Sequence, residues 1–365
     1  MMLSCLGAVA AALALLACPA LAQSPLINFD AYVARGVRDW NIPGLAIAVL
    51  KDDSVVFAKG YGVRRLGTQD SVNTHTLFAN ASTTKAFTSF VVELMADEGK
   101  LRIDAPVISY TPAFRLADPI ATREITIADL LSHRTGVPEA DYIWYDDTSS
   151  FTDIMRRLSY VPFDSPIRSH FEYQNITYAL AGHLAADRAG TTWTQLVHDR
   201  ILGPLGMRET TTGTPDESSH RNMASAHDYV NDTIRPIKRF ATDNIAPAGA
   251  MYSSVSDMAI WMRFLLDSAR LRGKRVLSAR GYADLFTPRI LVDEKQFYPT
   301  ATLTHPRFQA YGEGWFLEDY RGEVVAFHTG SIDGMVAIVG LIPERNHGVG
   351  VFANRGQAEL RQARG

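Results

Sequence analysis

Cysteine is nearly absent. Only two occur in 365 residues, Cys5 and Cys18; Cys5 immediately precedes, and Cys18 lies within, an apolar N-terminal stretch, Leu6 to Leu21, that runs into Ala20-Leu21-Ala22 before Gln23. This stretch fits a signal peptide over residues 1–22 with cleavage near Ala22, which would leave residues 23–365 as a mature domain that is periplasmic or secreted. Lipoprotein processing at Cys18, within Leu15-Leu16-Ala17-Cys18, is the alternative, and Pro19 fits it poorly. Cleavage near Ala22 removes both thiols, which excludes disulfides, a cysteine nucleophile and cysteine-ligated zinc.

An excess of either charge is lacking too. The 36 basic and 39 acidic side chains give a net charge of -3, and no basic stripe suggests nucleic acid as a partner. The densest basic run, Arg270-Leu271-Arg272-Gly273-Lys274-Arg275, reads as a solvated turn after a helix. The N-terminal apolar run is short for a spanning helix, so no stable membrane span is expected. There is no Gly-x-Ser-x-Gly elbow and no His-Glu-x-x-His pair, and neither internal repeats nor low-complexity stretches occur. The histidines outside the motif described below read as structural or surface residues.

What remains is an ordinary globular composition, 47% apolar, arranged with strands at both ends. Leu45 to Leu50 and Val55 to Ala58, joined by Lys51-Asp52-Asp53-Ser54, predict a hairpin. Val324 to Phe327, Met335 to Leu341 and Val349 to Ala353 predict strands near the other end, with Pro343 to His347 as the last turn. The middle carries helical patterning over Ile127 to Leu131, Ile176 to Ala189, Trp193 to Ile201 and Ser256 to Leu266. The expected fold class is therefore α/β of the α+β kind: one antiparallel sheet built from both chain ends, flanked by helices, with an inserted mainly helical lobe and a ligand cleft in the seam. Two long irregular segments, Glu139 to Thr152 and Thr287 to Tyr311, hold aromatics including Tyr142, Trp144, Tyr145, Phe297, Tyr298 and Phe308. They either wall a cleft or pack on the core.

One serine has a lysine three residues on. Ser82 and Lys85, in Asn80-Ala81-Ser82-Thr83-Thr84-Lys85, precede an amphipathic helical pattern formed by Phe87, Phe90, Val91, Leu94 and Met95, with Gly99 as its stop. Three residues make about one turn, so the amine of Lys85 can reach the hydroxyl of Ser82. A lysine in a partly dry pocket can lose its charge and take the serine proton. The plain structural reading is an N-capping serine with a surface lysine. Tyr173 and Asn175, in Phe171-Glu172-Tyr173-Gln174-Asn175, precede the helix from Ile176. Tyr173 is a candidate general base beside an ammonium group, and Asn175 is either a helix cap or an amide that holds Lys85 and a substrate carbonyl. His328-Thr329-Gly330-Ser331 follows a strand. Its small residues let a substrate lie against the strand edge, and the backbone N–H after Gly330 can join that of Ser82 as an oxyanion hole.

Ser-x-x-Lys, Tyr-x-Asn and His-Thr-Gly in this order resemble the serine β-lactamase and penicillin-binding protein superfamily, most closely its class C-like branch, which includes class C β-lactamases, D-Ala-D-Ala carboxypeptidases, D-aminopeptidases and family VIII-type esterases. Gly99-Lys100-Leu101, Leu130-Leu131-Ser132-His133, Gly203-Pro204-Leu205-Gly206-Met207 and Pro247 to Ser254 extend the resemblance over nearly the whole mature chain. It implies that Ser82 forms an acyl-enzyme, that Lys85 and Tyr173 move its proton, that Asn175 fixes Lys85 and the substrate amide, and that the N–H groups of Ser82 and Ser331 hold the oxyanion. It implies no metal and no organic cofactor. His328 replaces the lysine usual in β-lactamases and is a weaker anchor for a carboxylate, which favours esters or small amides over β-lactams and D-peptides. A catalytically inactive sensor on the same fold is the non-enzymatic alternative. The family's C-terminal helix is expected to be cut short, with Glu359 to Arg364 as its first turns.

Overall fold

The computed structural model describes residues 26–216, 220–297 and 301–356. The expected signal peptide, Tyr298 and the shortened C-terminal helix lie outside these residues. An eight-stranded antiparallel sheet organises the chain, its strands numbered β1 (Gly44–Lys51), β2 (Ser54–Gly62), β3 (Ile290–Val292), β4 (Gln309–Tyr311), β5 (Phe316–Tyr320), β6 (Glu323–Ile332), β7 (Met335–Ile342) and β8 (His347–Ala353). Their spatial order is β2-β1-β8-β7-β6-β5-β4-β3, so the N-terminal hairpin docks on the last strand, Leu45 lying opposite Ala353. The hairpin turn places Asp52 and Asp53 both at positive φ, 49° and 66°, the backbone of a two-residue turn whose twist matches its strands.

Alternation along these strands separates two apolar layers. Ala46, Ala48, Leu50, Ala337, Val339, Leu341 and Phe352 face the main core. Leu45, Ile47 and Tyr61 face the other way, beneath Phe29, Val33 and Val37 of α1 (Phe29–Asp39). The main core is built on α2 (Lys85–Asp97), α3 (Ile127–Leu131), α4 (Phe151–Leu158), α5 (Asn175–Ala189), α6 (Trp193–Val197) and α7 (Val255–Leu266). α7 lies against β1 and β8, and glycines at 348 and 350 let it come close: a Cβ on Gly350 would stand 3.3 Å from Met262. The basic run 270–275 forms a small hairpin after α7, Arg270 pairing with Arg275. Among the described residues no helix is long and apolar enough to cross a membrane.

Two expectations change. The helix α2 is not amphipathic in place: every residue from Lys85 to Met95 is buried, because the helix runs through the centre of the molecule and its polar residues find internal partners. The segment 287–311 is not an irregular loop, since it contributes β3 and β4 to the sheet.

Candidate active site

Ser82 sits on a single 3-10 turn, Ala81–Thr84, that leads straight into α2. The residue before it, Ala81, has φ +44°, a conformation that costs a non-glycine residue about 1–2 kcal/mol. The turn is clamped in that state. The N–H of Asn80 donates to the Met251 carbonyl at 2.8 Å, and Thr83 donates through its N–H and Oγ1 to the Asn80 carbonyl at 3.1 and 3.0 Å. The Ser82 side chain caps no helix. It points its hydroxyl toward Lys85 instead, whose Nζ is 3.1 Å from Oγ.

Lys85 is fully buried. Its Nζ has three neighbours, Ser82 Oγ at 3.1 Å, Asn175 Oδ1 at 2.7 Å and the Ala248 carbonyl at 2.9 Å. Two of these, an amide oxygen and a peptide carbonyl, only accept. A neutral amine donates its two hydrogens to them, and its lone pair then faces the one remaining neighbour, the serine hydroxyl. Burial draws the ammonium down to about 7, against the charges of Asp141 and Glu139, which hold it up. Near neutral pH the group therefore exchanges between proton holder and proton acceptor.

Asn175 is held on its other side. Its Nδ2 donates to Asp141 Oδ1 at 3.1 Å, and the indole N–H of Trp144 donates to the same oxygen at 2.7 Å. The amide is thus oriented with its carbonyl toward Lys85. The capping role expected as an alternative for Asn175 belongs to its neighbour: the Gln174 side chain accepts from the Ile176 N–H at 2.8 Å.

Tyr173 lies over the amine, with Lys85 Nζ 4.7 Å from its ring centroid. The ring rests on His133 at 4.1 Å. His133 is fully buried, its Nδ1 accepts the Gln174 N–H at 3.1 Å, and burial with the nearby Lys85 charge holds its pKa well below the usual range. It is therefore a neutral platform that sets the plane of Tyr173.

β6 forms the opposite wall. β5 pairs with it as far as Phe327, and beyond that point residues 328–331 lie against the turn that carries Ser82. Gly330 makes the approach possible: a Cβ there would stand 2.1 Å from the Asn80 carbonyl oxygen and 3.0 Å from the Ser82 nitrogen. Ser331 is exposed at the rim of the cavity that holds Ser82, and Thr329 is buried beside them. His328 is placed differently from expectation. Its ring is 1% exposed, its Nδ1 donates to the Thr329 carbonyl at 2.6 Å, and its Nε2 accepts from the Tyr311 hydroxyl at 2.9 Å. Burial and the Lys85 charge push its pKa down to about 3. Both nitrogens are engaged and the ring is neutral, so its side chain anchors no carboxylate. The residue contributes backbone to the site and packing behind it.

Ser82 opens into a cavity of about 220 Å³ between this strand edge and the helical side, lined also by Asp141, Trp144, Tyr145 and Asn175. The aromatic segment 139–152 therefore divides: Trp144 and Tyr145 wall the cavity, whereas Tyr142 is 76% exposed. In the second aromatic segment Phe297 packs with the sheet residues and Tyr311 lies behind His328, whereas Phe308 is 48% exposed. Sequence reasoning did not single out Asp141 or the Ala248 carbonyl. Asp141 follows the Gly136-Val137-Pro138 turn with no motif of its own, and a carbonyl carries no residue signature.

Residues 29–365 match the family described as Beta-lactamase. The chain is 31% identical over 346 residues to the unguisins hydrolase ungD′ of Aspergillus campestris, covering 90% of this chain and 61% of that protein. It is 26% identical over 335 residues to the protein flp of Staphylococcus aureus, covering 90% and 62%. It thus spans about three fifths of the length of the curated relatives it matches. Among solved structures, the octameric penicillin-binding protein homologue from Pyrococcus abyssi superposes with a TM-score of 0.76 at 22% identity, over 92% of this chain and 74% of that one, a likeness of fold. The match over residues 29–365, on a mixed fold with a large antiparallel sheet flanked by helices, shows that the chain belongs to the Beta-lactamase family of serine hydrolases.

Proposed function

We propose that this chain is a serine acyl hydrolase that works through an acyl-enzyme on Ser82, with esters or small amides as substrates. The observation that carries the reading is the environment of Lys85 Nζ, in which two obligate acceptors leave the lone pair of the neutral amine for the Ser82 hydroxyl. Lys85 takes the hydroxyl proton as Oγ attacks the carbonyl carbon, and the resulting ammonium is held by Asn175 and Ala248. The N–H groups of Ser82 and Ser331 receive the oxyanion. As the tetrahedral species collapses, Tyr173 passes the proton from Lys85 to the departing alcohol or amine. Water then attacks the acyl-enzyme, giving its proton back through Tyr173 and Lys85 to Ser82 and releasing the acid.

The neutral, hydrogen-bonded His328 supports esters and small amides over β-lactams, whose carboxylate gains no cationic anchor from this strand. The named activity of the unguisins hydrolase supports hydrolysis in general. Processing near Ala22 and a periplasmic or secreted site are part of the same proposal, and the N-terminal sequence of the protein isolated from its native host tests them.

Purified protein is assayed on p-nitrophenyl butyrate and on a chromogenic cephalosporin beside Ser82→Ala. Ester turnover that disappears in the variant, with little cephalosporin opening, is the expected result. Dominant cephalosporin turnover makes the chain a β-lactamase, and turnover of neither substrate favours a peptidase or a non-catalytic sensor.

A further inference from the structure

The cavity beside Ser82 carries a charge pattern that the proton-transfer chemistry does not require. Three carboxylates line it from three separate parts of the chain: Asp141 on the short turn Asp141–Ile143, Asp228 on the strand His227–Val230, and Asp333 between β6 and β7. Among the described residues, no lysine or arginine lines it.

The carboxylates take neutral donors. Asp141 accepts from the Trp144 indole and the Asn175 amide, Asp228 accepts from the Tyr229 N–H at 2.7 Å, and Asp333 accepts from the Tyr145 hydroxyl. None of the three enters an ion pair among the described residues. The Lys85 charge acts on Asp141, which leaves Asp228 and Asp333 as the carboxylates not offset by a cation among the described residues. Lys85 is buried and bound to Asn175 and Ala248, while Arg355 lies over the Tyr229 ring at 4.8 Å and donates to the Trp40 carbonyl. Nor do the carboxylates converge on a metal: among the described residues no group of three or more His, Cys, Asp or Glu side chains is placed to hold an ion.

Carboxylates that face one confined space without a cation raise the affinity for a positive ligand and repel a negative one. The same space holds the nucleophile, so the charge acts on whatever acyl donor reaches Ser82. We infer that the site selects acyl donors carrying a protonated amine close to the scissile carbonyl, and that Asp228 and Asp333 determine this specificity. The inference rests on the proposed acyl hydrolase and names its substrate class.

The test separates the two. Inhibition of p-nitrophenyl butyrate hydrolysis is measured with n-butylamine, 1-butanol and butyrate, which share a chain and differ in charge. At low ionic strength the ammonium is expected to inhibit at a concentration about tenfold below that of the alcohol, with butyrate weakest, and the gap is expected to narrow as salt is added. In an Asp228→Asn, Asp333→Asn double variant the ammonium advantage is expected to fall severalfold. Equal inhibition by all three, a preference for butyrate, or an advantage that survives in the double variant overturns the inference. If p-nitrophenyl butyrate is not turned over, it is the hydrolase reading that fails. The charge selection is then read from the quenching of Trp144 fluorescence by the same three compounds in Ser82→Ala, against a Ser82→Ala, Trp144→Phe control, with the same outcomes deciding.

Discussion

Replacing Asp141 with asparagine should move the acid limb of the rate profile downward. In the proposed mechanism only the neutral amine of Lys85 accepts the serine proton, so kcat/KM rises with pH through the Lys85 pKa, which burial draws to about 7. Asp141 opposes that depression. It lies one amide group away, with Asn175 Nδ2 at 3.1 Å from its carboxylate and Asn175 Oδ1 at 2.7 Å from Lys85 Nζ. At a charge separation of about 6 Å and an effective dielectric of about 20, its attraction for the ammonium is about 2.8 kcal/mol, or about two pK units; stronger screening brings this to about one. The main contacts survive the change, because Trp144 and the shorter Asn175 bond both fall on Oδ1, which an asparagine carbonyl can supply, and only the longer 3.3 Å contact of Asn175 with Oδ2 is lost. The Asp141→Asn limb should therefore fall by about one to two units, with a gain of up to about twofold at neutral pH and a larger gain in acid. The assay is kcat/KM for p-nitrophenyl butyrate across pH, followed at the isosbestic wavelength of the nitrophenol. A limb that stays in place or moves upward would refute the assignment of Lys85 as the titrating base.

Further substitutions test other parts of the structure. Gly330→Ala puts a Cβ 2.1 Å from the Asn80 carbonyl oxygen and 3.0 Å from the Ser82 nitrogen, so it should displace the oxyanion wall and lower kcat by about a hundredfold or more, with a modest fall in melting temperature. Asp129→Ala removes a buried carboxylate that accepts from Arg134 at 2.6 Å and from Arg168 at 2.7 Å and closes the Thr126 capping box. It should cost about 3–5 kcal/mol in urea unfolding, with a much smaller loss for Asp129→Asn. Glu93 and Glu313 are buried side by side, and burial together with Glu313 raises the Glu93 carboxyl to about 10. A folded pKa above the unfolded value gives stability that is complete below the unfolded pKa and is lost as pH rises through the folded one. Glu93→Gln has no proton to lose there, so its advantage over wild type in urea midpoint should grow between about pH 5 and about pH 9. A constant difference across that range would count against a protonated Glu93.

Much of this architecture is written in local patterns. The hairpins of β1–β2 and β7–β8 show alternation and turn residues in sequence, and α5 and α7 show helical periodicity, because each satisfies its backbone within a short stretch. β3 and β4 were not legible. Each is three residues long, too short for a period to register, and each exists as a strand only through its neighbour in the sheet. Periodicity also misread α2, since it cannot distinguish a polar face turned to water from one turned to buried partners such as those of Lys85, Thr88 and Glu93. At the site, the spacing of Ser82 and Lys85 was readable because one helical turn joins them. Asp141 and the Ala248 carbonyl reach Lys85 only through tertiary packing. The burial of His328 follows from Tyr311, a partner 17 residues away on β4.

The pairing of β1 with β8 also sets a timetable for folding. Leu45 and Ala353 are opposite each other although about 300 residues separate them, so closing the sheet means bringing together two segments synthesised far apart in time. Until His347–Ala353 has left the ribosome, the inner edge of β1 has no partner, and an open edge of that kind readily pairs with other chains. A chain that still lacks β8 is therefore expected to be prone to aggregation. Truncations that delete β8 should yield aggregates in place of smaller folded proteins.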